Sequence, residues 1–128
     1  MTRNNPLKLT LETSAANLIR AWEPGAVRVG DDWLRSHLIV SSQHIIRDWA
    51  VTAPEALRAH DLKPAVDLSP EIILLGTGDH MVLPDIYLMK ELASQGVGLE
   101  IMDTPAACRT YNVLIHEHRD VVAALFIG

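Results

Sequence analysis

A single cysteine, Cys108, stands in a chain of 128 residues. One thiol closes no intramolecular disulfide and builds no cysteine zinc cluster, so neither is expected to hold the fold. Basic residues are also few: eleven against sixteen acidic ones, a net charge of −5. General nucleic-acid binding needs a cationic surface that neutralises phosphates, so this balance argues against it, though not against a local basic pocket. Long apolar runs are missing as well. No stretch approaches the ~18 consecutive apolar residues of a membrane span. The opening MTRNNPLKLTLE has no apolar run of signal-peptide length. These absences predict a cytoplasmic protein of a reducing compartment, with no membrane insertion and no nucleic-acid partner.

Signature motifs are absent too. Neither a GxxxxGK[ST] phosphate loop nor a GxSxG nucleophile elbow occurs. The histidines His37, His44, His60, His80, His116 and His118 are scattered along the chain. His116 and His118 are two apart, whereas a helical metal pair needs i and i+4. With no complete catalytic or metal set, the chain reads as a binder more than an enzyme. No cofactor and no metal are predicted.

What is present is a globular composition: 48% apolar and 21% charged. A chain this long buries roughly two-thirds of its unfolded surface, enough for one self-sufficient core. It is read as one domain, 1–128, in two halves without a linker: a β-meander over 6–50 and an α/β part over 52–128. In the first half Leu7, Leu9 and Leu11 alternate with polar residues, which predicts a strand. A second strand is expected over Asn17–Glu23, before the turn Glu23-Pro24-Gly25. VRV then meets WLRSHLIV across Gly30-Asp31-Asp32, and HIIRDWAV follows. Trp22, Trp33 and Trp49 all lie in this half and are expected to cover the inner face of the meander.

The second half changes period. Thr52-Ala53-Pro54-Glu55 has capping-box spacing and predicts a short helix. EIILLG reads as a central strand, because ILL is apolar without alternation. Residues 84–95 place Ile86, Met89, Leu92 and Ala93 on one helical stripe, with Gly96 to end the helix. GLEIMD is another strand. Thr104 as N-cap and Pro105 at the first helical position open a further helix, and DVVAALFI closes the chain as a core strand. Strand, helix, strand, helix, strand implies a mostly parallel sheet with right-handed crossovers. The fold class is therefore α/β: a mixed, mostly parallel central sheet, flanking helices and an N-terminal antiparallel β layer.

In such a sheet ligands sit beyond the carboxyl ends of the strands. Two such ends carry chemistry here. Gly76, Thr77, Gly78 and Asp79 follow one strand, and Asp103, Thr104, Cys108, Arg109 and Thr110 follow the other. Both lead into helices, whose free N–H groups favour an anion. Arg109 adds a fork suited to a carboxylate or phosphate. These nine residues are the candidate ligand-binding set. The plainer reading stands beside it: GTG as a tight turn, Thr104 as a cap. One of the two glycines is expected at positive φ. Cys108 lies at helical spacing from Tyr111 and Ile115, which favours a buried structural thiol over a nucleophile.

The segments LLGTGD and MDTPAACRTYN, with NLIRAWEPGAVRVGDDW and LIVSSQHIIRDW upstream, resemble a small single-domain family. It includes the mitochondrial NADH dehydrogenase (complex I) assembly factor 3 and many bacterial members of unknown function. The resemblance implies a three-layer α/β fold and a bacterial protein that assembles or maintains a respiratory or membrane complex. It transfers no catalytic residues. It implies a protein partner, and exposed strand edges leave room for a homo-oligomer. The partner face is expected on residues 33–49. A small-molecule or anion site at the Gly76–Asp79 and Asp103–Arg109 loops is the alternative.

Overall fold

Apolar residues without alternation predict strands covered on both faces, and three such runs form the centre of the molecule. They are β4 (Leu38–Ser41), β6 (Ile72–Gly76) and β8 (Val121–Leu125). With β5 (Ile45–Ile46) and β7 (Gly98–Met102) they make a five-stranded sheet, order β5-β4-β8-β6-β7. The computed structural model describes residues 16–128; the strand expected at Leu7–Leu11 lies outside them. β8, β6 and β7 are mutually parallel, and β4 is antiparallel to its neighbours β8 and β5. Only β4 therefore runs against the others, and the sheet is mixed but mostly parallel.

Period two decides which side chain faces which layer. Leu74, Ala123, Leu125, Leu38 and Val40 face one core, and Ile73, Leu75, Val122, Ala124 and Ile39 face the other. The first core is closed by helix α3 (Thr104–His116) and a separate three-stranded sheet, β1 (Ile19–Glu23), β2 (Ala26–Val29) and β3 (Asp32–Leu34). The second is closed by two short 3-10 turns (Pro54–Ala56 and Ala59–Leu62), α1 (Lys63–Val66) and α2 (Ile86–Ser94). The step from β6 to β7 moves one way along the sheet, and the step from β7 to β8 moves back past β6. Crossovers of one hand then put α2 and α3 on opposite faces, as observed. This is the expected three-layer α/β arrangement.

Several local expectations are corrected. WLRSHLIV is not one strand, and the described residues from 16 to 50 are not one meander. The chain breaks at Arg35–His37, and β4 crosses into the central sheet. Leu38, Ile39 and Val40 are all fully buried, and such a run needs cover on both faces, which an outer layer lacks. The partner face expected on residues 33–49 is thus divided between β3, where Trp33 is exposed but Leu34 is buried, and a buried β4.

The tryptophans part company for the same reason. Trp22 packs half-buried against the first core, Trp33 is 39% exposed, and Trp49 belongs to the second core. The Trp49 indole N–H donates to the Asp61 carbonyl at 2.9 Å. Thr52 caps nothing. Pro54 starts the first 3-10 turn, which makes Ala53 the residue before it, with no side-chain acceptor to offer. The carboxylate-to-backbone contact occurs one turn later, where the Arg58 N–H donates to Asp61 Oδ2.

Helix α2 buries Leu88 and Leu92, while Ile86 is 63% and Met89 39% exposed and Ala93 is also exposed. Its apolar residues lie on two sides of a short helix, so periodicity alone does not select the buried one. Gly96 has φ +78 and ends α2 as expected.

Candidate functional site

The carboxyl ends of β6, β7 and β8 lie at one edge of the sheet, with Gly76 opposite both Met102 and Leu125. The two candidate loops therefore meet. What they do first is tie to each other. Thr104 is fully buried at the start of α3. Its hydroxyl donates to the Phe126 carbonyl at 2.7 Å and accepts the Gly78 N–H at 2.8 Å. Its own N–H donates to the Gly78 carbonyl at 2.8 Å, and the Phe126 N–H donates to the Gly76 carbonyl at 2.8 Å. Three chain segments are thus joined around one hydroxyl.

Thr104 is therefore not the cap of α3. Asp103 is, through Oδ1, which accepts the Ala106 N–H at 2.8 Å. The Ala107 N–H donates to the Asp103 carbonyl, and Pro105 carries no N–H. The first N–H groups of α3 all have protein acceptors, so the usual cause of anion binding at a helix start is removed. The GTG turn is similarly closed. The Thr77 N–H donates to the Met102 carbonyl, and the Thr77 hydroxyl donates to the His80 carbonyl while accepting the Val82 N–H. Gly78 takes φ +98, which only glycine adopts cheaply. Gly76 has an ordinary φ, and its reason for being glycine is different. A Cβ there would stand 3.0 Å from Thr104 Oγ1 and 3.1 Å from Thr104 Cα.

The remaining candidates separate. Asp79 is exposed, Thr110 is half-buried on α3, and Cys108 and Arg109 turn toward neither glycine loop but line a groove between α3 and β1. That groove holds about 390 Å³ and is lined by Ile19, Arg20, Ala21, Trp22, Pro105, Cys108, Arg109 and Asn112. Asn112 fastens its two walls together. The Asn112 amide donates to the Ile19 carbonyl at 2.7 Å and accepts the Ile19 N–H at 2.9 Å. Arg20 and Trp22 were not singled out from sequence as site residues. Their only local signal is an arginine and a tryptophan alternating on a short strand, which is common.

Cys108 is 5% exposed and packs in the first core with Tyr111 and Ile115. Burial pushes its thiol up from 9.0 to about 12, outweighing the nearby Arg109 charge, which acts the other way. The folded chain thus keeps a proton that the unfolded chain releases. The stabilisation is complete below the ordinary value of 9.0 and is lost as pH rises toward about 12. Tyr111, raised for the same reason, adds to the alkaline loss. We expect slow thiol labelling at neutral pH in the native state, fast labelling in denaturant, and a shallower alkaline loss of stability in Cys108→Ala. Native labelling as fast as a free thiol would contradict the burial. Among the described residues no group of three or more His, Cys, Asp or Glu side chains is placed to hold a metal ion.

Comparison with known proteins agrees with this architecture. A Bordetella parapertussis protein of known crystal structure superposes with a TM-score of 0.83 at 35% identity, covering 89% of this chain and 98% of that one. The Xenopus tropicalis NADH dehydrogenase [ubiquinone] 1 alpha subcomplex assembly factor 3 is 37% identical over 82 residues, 62% of this chain and 45% of that protein. A Francisella tularensis protein named 13 kDa major membrane protein is 34% identical over 67 residues, 52% of this chain and 54% of that protein. The chain spans about half the length of these two curated relatives. Among the described residues no helix is long and apolar enough to cross a membrane. Over residues 19–126 the chain matches, and belongs to, the family described as protein of unknown function (DUF498/DUF598).

Proposed function

We propose that this protein is a non-catalytic accessory factor, acting in a bacterial cytoplasm, that holds another protein during assembly or upkeep of a respiratory or membrane complex. One observation carries the reading. Seven large apolar side chains are exposed among the described residues, and five of them fall in nine consecutive positions: Met81, Leu83, Ile86, Tyr87 and Met89. Scattered exposed apolar residues are ordinary, but their concentration in one short stretch marks a place that meets something. Methionines and a tyrosine suit such a surface, because thioethers adapt their shape and a phenol is rigid and amphipathic. The strip leads into α2, and its Tyr87 lines a groove with Leu57, Leu88, Arg58, His60, Asp85 and Glu91. Charged groups at its rim would guide encounter, and the apolar strip would supply the affinity. The named role of the assembly-factor relatives points the same way.

The test is site-specific crosslinking in the source cells. A photoreactive residue at position 87 should give a discrete adduct with a subunit or factor of such a complex. The same probe at position 113, also exposed, should not. Leu83→Asp should weaken capture at least tenfold, about 1.4 kcal/mol, without lowering the melting temperature, because Leu83 is 65% exposed. No adduct from positions 83, 87 and 89, or the same adducts from position 113, would refute the reading.

A further inference from the structure

We propose that the groove between β1 and α3 binds a small amphiphilic acid, an apolar body whose carboxylate or phosphate head is held by Arg20 and Arg109. The two arginines come from opposite walls of the groove, one from the strand and one from the helix, and both are exposed. Arg35, Arg47 and Arg119 each have a carboxylate within 4.0 Å, whereas Arg20, Arg109, Arg28 and Arg58 have none among the described residues; of these four, only Arg20 and Arg109 line this groove. In a chain with net charge −5, two exposed arginines on one groove, neither paired to a carboxylate among the described residues, run against the average. A guanidinium pairs a carboxylate or phosphate through two parallel N–H bonds, so a pair of them selects an anionic head.

The rest of the lining explains why the ligand is more than an ion. Ile19, Ala21, Trp22, Pro105 and Cys108 supply apolar wall, and about 390 Å³ lies within the size range of small-molecule pockets. The Trp22 indole N–H is buried and has no acceptor among the described residues, so it is a sensitive reporter on the same wall. The site is also stiff. The β1–β2 register slips between Ile19 and Ala21, which makes Arg20 the extra residue of a bulge. Bulges re-aim side chains beside sites. The Asn112 amide clamps both backbone groups of Ile19, so binding orders little of the wall and loses little entropy. The only nucleophile among the described lining residues, Cys108, is buried and stays protonated, so the groove holds its ligand without reacting with it. This inference is independent of the partner strip, which lies on other elements.

Amide-resolved NMR titration of the whole chain tests it with three probes: phenylacetate, phenyl phosphate and the neutral phenylacetamide. The acids should shift amides confined to residues 19–22 and 106–112 and the Trp22 indole N–H, with a dissociation constant on the order of 1 mM or tighter. Arg20→Gln and Arg109→Gln should each weaken this about tenfold or more. Response to one acid alone supports the site and assigns its head group. Tyr87→Asp, on the partner strip, should leave the titration unchanged. No response to either acid, an equal response to phenylacetamide, or unchanged affinity in both arginine variants would overturn the proposal.

Discussion

Replacing Thr104 with valine is expected to destabilise the protein by about 2–6 kcal/mol, a change of shape too small to see and of chemistry large enough to unfold a marginal domain. Valine fills the same volume, so packing is kept. The hydroxyl is lost from a site with no exposure to solvent. The Gly78 N–H then has no acceptor and the Phe126 carbonyl loses its donor. Each buried group left unpaired costs about 1–3 kcal/mol, which sets the range. Serine keeps both bonds and loses only a methyl group, so Thr104→Ser should recover most of the loss. Urea unfolding measures this directly: the midpoint should fall with an unchanged slope for valine and stay near the parent for serine. Equal loss in the two variants would mean that the methyl group, not the hydroxyl, does the holding.

Gly76→Ala is expected to cost about 1–3 kcal/mol, the range for forcing a methyl group into a packed core. The added Cβ would stand 2.9 Å from Leu125 Cδ2, which can rotate away, and 3.1 Å from Thr104 Cα, which is backbone and cannot. Pushing Thr104 back strains the two hydrogen bonds of its hydroxyl, so Gly76→Ala and Thr104→Val should not add in the double variant. Gly78→Ala is the control. A Cβ at Gly78 meets nothing within 4 Å, and its only penalty is the positive φ of +98, about 1 kcal/mol or somewhat more. Thermal or urea unfolding of the three variants should therefore rank Gly76→Ala below Gly78→Ala. The reverse order would show that backbone conformation, not close approach, governs this loop.

These two variants bear on why the candidate site was only partly legible. A Gly-Thr-Gly turn and a Thr-Pro helix start look the same in sequence whether their N–H groups hold an anion or each other. The difference is the partner across the sheet edge: Thr104 for Gly78, and Phe126 for Thr104. Arg109 was legible as a guanidinium near a helix start, but its companion Arg20 comes from a strand in a different sheet. Only the docking of β1 on α3 through Asn112 brings the two to one groove.

The strands Ile72–Gly76 and Val121–Leu125, the glycine at positive φ in the GTG turn and the burial of Cys108 with Tyr111 and Ile115 were all readable from the chain alone. Each depends on local information: an unbroken apolar run, a residue without Cβ, a helical spacing. The tertiary structure decided what local pattern leaves open. It took Leu38–Ser41 out of the meander and into the central sheet, because a run buried on both faces needs two layers over it. It chose Leu88 and Leu92 over Ile86 and Met89 as the inner side of α2, leaving Ile86, Tyr87 and Met89 exposed. A helix with two apolar sides does not know which one meets a sheet until the sheet is there.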